Sequence, residues 1–122
     1  MGDLATALAE AWSHETSADP TSWTVENAAW GQCAVTALIV QDYFGGSLRR
    51  GEVGDVSHYW NVLPAGEVVD LTRQQFPNGT EIANIAARTR EYVLSNLETA
   101  RRYRRLAQRV DQRLSGRVLA AT

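Results

Sequence analysis

Apolar side chains recur at the spacing of an α-helix in the first third of the chain. Residues 4–14 predict one amphipathic helix, with Asp3 at the position of its N-cap. Residues 32–44 predict a second helix, which begins after Gly31 and ends at Gly45-Gly46. The interior of this second helix is apolar almost all round, so we expect it to be central and buried.

The hydrophobic period then changes from that of a helix to that of a strand. Residues 57–63 and 67–72 are short and rich in β-branched and aromatic side chains. They are joined through Pro64-Ala65-Gly66, which predicts a β-hairpin. Residues 49–56 predict a third strand beside it.

Helical spacing returns over residues 89–114. A sequence that resembles a capping box, Ser-Asn-Leu-Glu at residues 95–98, favours two helices here instead of one. Residues 15–30 and the turn Pro77-Asn78-Gly79 have no regular period and predict loops. Helices around a small antiparallel sheet, in a chain of 122 residues, predict a single α+β domain over residues 1–122.

The composition is that of a globular protein. The chain is 44% hydrophobic and 21% charged, which excludes wholesale disorder. Its longest apolar run, residues 37–40, is too short to cross a membrane. The N-terminus lacks the basic flank and apolar core of a secretory signal, so we expect a cytoplasmic protein. Because Cys33 is the only cysteine, we expect neither an intramolecular disulfide nor a cysteine-rich zinc site.

Charge is unevenly distributed along the chain. The formal net charge of −2 argues against a general nucleic-acid binder. However, residues 88–117 contain nine arginines and three acidic residues, whereas residues 1–87 contain three arginines and eleven acidic residues. We expect the C-terminal helix to attract the acidic body of the domain. The alternatives for residues 97–114 are a homodimer contact, a protein partner or RNA binding.

Three side chains have the types and local settings of a thiol-based catalytic site. Cys33 falls in the first turn of the second helix, where the helix dipole and the unpaired amides favour a thiolate. A nucleophilic cysteine needs a base, and the base needs a partner that orients it. His58 on the first strand of the hairpin and Asp70 on the second supply both.

The spacing of His58 and Asp70 allows them to meet across the hairpin, because they are twelve residues apart with the turn midway. A loop with an odd number of residues places them on the same face, at about 5–8 Å. A loop with an even number places them on opposite faces. Trp60 and Val62 share the face of His58, so we expect this face to pack on the helix that carries Cys33.

Each of these residues also has an ordinary structural interpretation. Cys33 can serve as a small buried apolar residue, His58 as a core histidine and Asp70 as a turn acceptor. A metal site built from Cys33, His58, His14 and a carboxylate lacks any recognised ligand spacing. We therefore predict no metal and no cofactor.

Three segments, in this order, resemble those that carry the triad of transglutaminase-like enzymes. They are Gly-Gln-Cys-Ala-Val-Thr-Ala at residues 31–37, His-Tyr-Trp-Asn at 58–61 and Asp-Leu-Thr at 70–72. The chain as a whole is more similar to the YunG-like proteins, a family of small bacterial proteins. That resemblance adds Ala-Trp-Ser at residues 11–13 and Gln-Phe at 75–76, and it covers most of the chain.

The resemblance implies a role for each residue of the triad and a fold around it. Cys33 would be the nucleophile, His58 the general base and acid, and Asp70 the group that fixes the imidazole tautomer. The implied fold is a papain-like or transglutaminase-like core, in which the helix that carries Cys33 packs on a small antiparallel sheet. Nothing resembles the calcium sites or the acceptor domains of large transglutaminases, so protein cross-linking is not implied.

Further predictions concern the oxyanion and the substrate groove. Asn27 lies six residues before Cys33, the spacing of the oxyanion-hole glutamine in papain-like enzymes, although an Asx turn explains it equally well. Gln32 is a second candidate, with closure of the helix start as its alternative role. The tryptophans are candidates for lining a groove, with filling of the core as the alternative. These are Trp12, Trp23, Trp30 and Trp60.

The sequence thus predicts thiol-dependent acyl transfer from an amide of a small molecule or peptide. Hydrolysis, as by a peptidase, amidase or glutamine deamidase, is the first expectation, and transfer to a small amine is the second. The alternative is a binding or scaffold protein that keeps the fold without turnover. Such a protein would dock its partner through the arginine-rich C-terminal helix.

Overall fold

A computed structural model describes the backbone of residues 1–121 and the side chains of residues 1–116. The helices are α1 (Gly2–Ala11), α2 (Cys33–Phe44), α3 (Arg90–Leu94) and α4 (Leu97–Ala121). The strands are β1 (Ser47–Val53), β2 (Val56–Val62), β3 (Val68–Val69) and β4 (Ala83–Arg88). Two 3-10 turns lie at His14–Thr16 and Arg73–Gln75. The predicted α+β class is confirmed.

The four strands form one antiparallel sheet in the order β3-β2-β1-β4. Strand β3 pairs only with Asn61 and Val62, so it is shorter than the predicted segment 67–72. Strand β4 was not predicted. Its alanine-rich sequence is mostly exposed and lacks the alternation of apolar and polar residues that marks a half-buried strand.

Helix α1 ends at Ala11, three residues before its predicted end. The reason is a capping box at the following 3-10 turn, in which the Ser13 hydroxyl accepts a hydrogen bond from the Glu15 amide and Thr16 accepts one from the Ser13 amide. Asp3 lies in the first turn of α1 and does not cap it, because Met1 occupies the N-cap position.

The C-terminal region forms two helices, as the sequence favoured. Helix α3 is capped by Thr89, whose side chain accepts a hydrogen bond from the Tyr92 amide. The cap of α4 is Asn96 and not the expected Ser95, because Oδ1 of Asn96 accepts a hydrogen bond from the Thr99 amide over 3.0 Å. No helix in the described part of the chain is both long enough and apolar enough to span a membrane.

Helix α2 is the centre of the fold, as its apolar sequence predicts. One of its faces packs with α1 and α4 in a cluster that includes Leu8, Ile39 and Leu106. The other face packs against β1 and α3 through Leu38 and Leu48. Complete burial of each such side chain stabilises the fold by about 1.5–3 kcal/mol. The position of Cys33 is therefore set by the best-packed element of the domain.

The sheet packs on α2 through the residues of β2 that alternate with His58. Asn61 donates a hydrogen bond to the main-chain oxygen of Ala37, and Tyr59 packs against the cluster around that residue. The expectation that the face of His58 and Trp60 covers this helix is wrong for the body of α2, because adjacent strand residues point to opposite faces. Only its first residue, Cys33, contacts the His58 side chain. The His58 and Trp60 rings stack on each other instead.

Candidate active site

His58 and Asp70 are in direct contact. Nε2 of the buried His58 ring lies 2.6 Å from Oδ2 of Asp70. The register pairs Val62 with Val68, which leaves a loop of five residues. Because this number is odd, His58 and Asp70 lie on the same face of the hairpin. This is the first of the two outcomes that the sequence left open. Continuing the register sets Asp70 opposite Trp60, so that it lies diagonal to His58.

The orientation of the His58 ring is determined by contacts on several sides. The Trp60 ring stacks on it with centroids 5.6 Å apart, and the Phe76 ring approaches edge-on at 5.1 Å. The carboxylate beneath it is held as well, because Oδ1 of Asp70 accepts a hydrogen bond from the Thr72 amide over 3.3 Å. With Nε2 bound to Asp70, the other ring nitrogen, Nδ1, is left for a different partner.

Cys33 is the first residue of α2 and lies next to His58. Its Sγ is 3.6 Å from the main-chain oxygen of Ser57, the residue that precedes His58. The cysteine is 8% exposed and lines a cleft, so its thiol is not sealed in the apolar core. The structure thus brings together Cys33, His58 and Asp70, the three residues of the predicted triad.

The surroundings of His58 change its protonation. Burial lowers its pKa, but the contacts with Asp70 and Cys33 outweigh burial and raise the pKa to about 9. The imidazole is therefore protonated at neutral pH. A positive imidazolium stabilises a thiolate beside it, which is the electrostatic arrangement that a cysteine nucleophile needs.

Gln75 is a site residue that sequence reasoning did not single out. This buried side chain accepts a hydrogen bond from the Gly31 amide on Oε1 over 3.2 Å. Its Nε2 donates to the Thr72 carbonyl and lies 3.5 Å from Nδ1 of His58. Gln75 therefore connects the loop before Cys33 with the segment that follows the triad aspartate. Its only signal in the sequence was its place in the Gln-Phe pair of the family resemblance.

The two side chains predicted for the oxyanion brace the loop instead of lining the cleft. Nδ2 of Asn27 donates to the main-chain oxygen of Gln75 over 3.3 Å. The Gln32 side chain is fully buried, where it accepts from the Thr16 hydroxyl over 2.8 Å and donates to the main chain of the Ser13 turn over 3.0 Å. The main-chain amide of residue 33 has no partner within its own helix, because it belongs to the first turn.

Only one of the tryptophans borders the cleft within the described part of the chain. Trp30 lines it. Trp12 is buried in the helical core, and Trp60 is buried against the His58 ring. Trp23 packs near the His14 ring with centroids 6.4 Å apart. The prediction that the tryptophans line a groove is therefore wrong for three of the four, which pack against other side chains instead.

The cleft has a volume of about 1180 Å³, which accommodates a small organic molecule. The loop before α2 forms one wall, the ends of β1 and β2 form the floor, and the start of α4 forms the opposite wall. Cys33 and Gln75 border it. In the described part of the chain, no group of three or more His, Cys, Asp or Glu side chains is arranged to hold a metal ion.

The arginine-rich helix α4 contacts the acidic body, as the charge distribution predicted. Arg105 and Arg109 bind the two carboxylate oxygens of Glu15 at 2.8 and 2.5 Å. Arg113 lies 3.9 Å from Glu10. These ion pairs hold α4 against α1 and the 3-10 turn that follows it, and so close one side of the cleft.

Comparison with known proteins confirms the resemblance to the YunG-like proteins. A family model described as "YunG protein" matches residues 1–115. A relative from Bacillus subtilis (strain 168), "Uncharacterized protein YunG", is 36% identical over 91 residues, which cover 75% of this chain and 76% of the relative. No solved structure matches. The chain therefore belongs to the YunG family.

Proposed function

We propose that this protein catalyses thiol-dependent acyl transfer from an amide, with Cys33, His58 and Asp70 as its triad. The observation that carries this proposal is the 2.6 Å contact between Nε2 of His58 and Oδ2 of Asp70. This contact directs the other ring nitrogen away from the carboxylate, while the cysteine sulfur lies at the carbonyl of Ser57, immediately before the histidine.

The reaction follows from this geometry in two steps. The Cys33 thiolate attacks the amide carbonyl carbon and forms a sulfur–carbon bond. The carbon–nitrogen bond then breaks as the His58 imidazolium gives its Nδ1 proton to the leaving nitrogen. Water or a small amine attacks the resulting thioester, its proton passes to Nδ1, and the thiolate is regenerated. Asp70 keeps the ring oriented and stabilises its positive charge.

The fold supports the same proposal. A helix that begins at the cysteine and packs on an antiparallel sheet that carries the histidine is the core arrangement of papain-like and transglutaminase-like enzymes. We assign the domain to that superfamily on this ground. The oxyanion of the first step is stabilised by the main-chain amide of Cys33, which has no partner within α2.

The rate of alkylation of Cys33 by iodoacetamide tests the triad. We expect the native protein to react well below pH 8, because the cationic ring of His58 contacts the sulfur. His58→Ala should react at least about 10-fold more slowly, because losing about 1.4 kcal/mol of favourable interaction with the imidazolium is a factor of ten. His14→Ala is the matched control, because His14 also lines the cleft but does not contact the sulfur. Equal rates in the two variants would refute the triad.

Intact mass spectrometry tests the acyl-enzyme. After incubation with p-nitrophenyl acetate, we expect an acetyl adduct on Cys33 that is absent in Cys33→Ser. Adding methylamine then separates the two outcomes, because hydrolysis yields acetate and transfer yields N-methylacetamide. A protein that forms no adduct and has an inert thiol would be the non-catalytic binding protein that the sequence also allows.

A further inference from the structure

The cleft beside Cys33 contains arginine side chains from two different elements, the floor strand β1 and the wall helix α4. Arg50 reaches it from β1, and Arg102 reaches it from α4. Two further arginines of α4 that line the cleft, Arg101 and Arg105, are neutralised by ion pairs with carboxylates. The first two arginines are therefore the ones whose charge is available to a ligand.

Arg102 lacks the partners that a guanidinium usually has. Its Nη2 donates to the Thr99 hydroxyl over 3.2 Å, but its Nε is buried without a hydrogen-bond partner in the described part of the chain. Burial lowers the pKa of Arg102, whereas Glu98 and Cys33 act in the opposite direction, so the cysteine is within electrostatic reach of this cation. A buried donor without an acceptor is costly, which makes this guanidinium a ready site for an anion.

Arg50 is held close to the sulfur from the other side. One of its Nη atoms donates to the Ser57 hydroxyl, and the main-chain oxygen of that same serine contacts Sγ of Cys33. Its nearest carboxylate, Glu52, is 4.0 Å away, which is longer than the ion-pair contacts of Arg101 and Arg105 and too long for a hydrogen bond. Arg50 contacts the Ser57 and Tyr59 side chains, and its remaining donors can bind a second anionic group.

The acidic residues of the cleft limit how much negative charge a ligand can carry. They are Glu15, Asp19, Asp55 and Glu98. Glu15 and Glu98 are engaged by arginines, and Asp19 accepts a hydrogen bond from the Trp30 ring over 3.1 Å. Asp55 is exposed at the mouth. Four arginines and four carboxylates line the cleft, so it has no formal excess of positive charge, and a singly charged carboxylate fits it better than a doubly charged phosphate.

We propose, building on the proposed function, that the acyl donor of this enzyme carries a carboxylate, which Arg102 and Arg50 bind while Cys33 attacks the amide. Guanidinium groups bind planar carboxylates through two parallel hydrogen bonds, so the contact would orient the substrate as well as attract it. The substrate class is thus an amide that bears a free carboxylate near the scissile bond, such as an N-acyl amino acid or the C-terminal end of a peptide.

Two reagents with the same chemistry and different charge test this inference. Iodoacetate is anionic and iodoacetamide is neutral, and both alkylate the Cys33 thiolate. The ratio of their rate constants therefore cancels any change in the amount of thiolate. We expect Arg102→Gln to lower the iodoacetate-to-iodoacetamide ratio at least about 10-fold, the scale of one lost charge-assisted hydrogen bond. Arg104→Gln, on the exposed face of the same helix, should leave the ratio unchanged.

Each outcome supports or overturns a stated claim. If both reagents react quickly and depend on His58, but the ratio is the same in native protein and Arg102→Gln, the carboxylate assignment is wrong and the proposed function stands. If neither reagent reacts faster than a free thiol, the proposed function fails and the substrate assignment fails with it. Should Arg102→Gln not fold, two other variants provide the same comparison. We expect Arg50→Gln to lower the iodoacetate-to-iodoacetamide ratio and Arg102→Lys, which preserves the charge, largely to retain it.

Discussion

The side-chain amide of Asn61 donates a hydrogen bond of 2.9 Å to the main-chain oxygen of Ala37, in the interior of α2. This contact joins the sheet to the central helix at a position where both partners are buried. Cys33 lies one helical turn before Ala37, and His58 lies three residues before Asn61 on the strand. A polar contact within an apolar interface thus sets the position of Cys33 relative to the strand that carries His58.

Removal of this contact should loosen the site as well as the fold. We expect Asn61→Ala to lower the free energy of unfolding by about 0.5–1.5 kcal/mol, the net contribution of a typical hydrogen bond, because the Ala37 carbonyl keeps its partner within α2. Alkylation of Cys33 should also slow, because the helix is free to shift along the sheet. Urea unfolding and iodoacetamide kinetics measure the two effects. Asn78→Ala, in an exposed turn, is the control, and an equal loss of stability in both variants would contradict this role.

Replacement of the triad carboxylate should lower the pKa of His58. In Asp70→Asn the contact that raises this pKa loses its charge, while the burial that lowers it remains. We expect acyl transfer to fall by about 10²–10⁴-fold, the range for general acid–base catalysis. NMR titration of the ring checks the pKa. Asp55→Asn removes a charge at the mouth of the same cleft and should leave both quantities almost unchanged.

The pH dependence of acylation follows from the raised pKa of His58. Its folded value of about 9 lies above the ordinary 6.5, so the ring keeps its proton at neutral pH and loses it as the pH rises through about 9. Acylation needs that proton for the leaving nitrogen, so its rate should decline above about pH 9. The stability that the protonated ring contributes is complete below about pH 6.5 and disappears over the same rise. A rate that climbs steadily to pH 11 would contradict the assignment.

Gly31 should not tolerate a side chain. Its φ angle is +74°, and an added Cβ would lie 2.2 Å from Oγ of Ser17. We expect Gly31→Ala to destabilise the protein by more than the roughly 1–2 kcal/mol of a left-handed alanine and to disturb the start of α2. Gly54 also has a positive φ but faces open space, so Gly54→Ala measures the backbone cost alone. Unfolding in urea compares the two, and similar losses would show that the contact with Ser17 is unimportant.

Two variants of Gln75 separate its structural role from its electrostatic one. Gln75→Ala leaves the Gly31 amide without its partner, at a cost of about 1–3 kcal/mol, whereas the Thr72 carbonyl keeps the hydrogen bond from the main-chain amide of residue 75. Gln75→Glu keeps an acceptor for the amide and places a carboxylate about 3.5 Å from Nδ1 of His58. The high-pH limb of the acylation profile should move to higher pH in Gln75→Glu and not in Gln75→Ala. An unmoved limb in both would leave Gln75 a purely structural residue.

The elements that were predicted correctly are those whose signals lie within a few neighbouring residues. The buried helix 32–44 and the hairpin through Pro64-Ala65-Gly66 were predicted because apolar period and turn residues act over a few positions. Strand β4 was missed because its pairing with β1 creates it, and its own sequence has no strand period. The contact between His58 and Asp70 could be predicted only on the condition that the hairpin loop has an odd number of residues. Residue spacing alone does not fix the register of the two strands.

By itself, the sequence determined which side chains had the chemistry for the site, because residue type, helix position and strand order are properties of the chain. Only the tertiary structure decided what those side chains contact. It assigned the amides of Asn27 and Gln32 to the loop, brought Gln75 to the ring of His58 and placed Arg102 in the cleft of Cys33, with an Nε that has no partner among the described residues. The physical reason is that polar groups form hydrogen bonds with whichever groups lie close in the folded chain. The number of residues between two segments does not determine the distance between them in the fold.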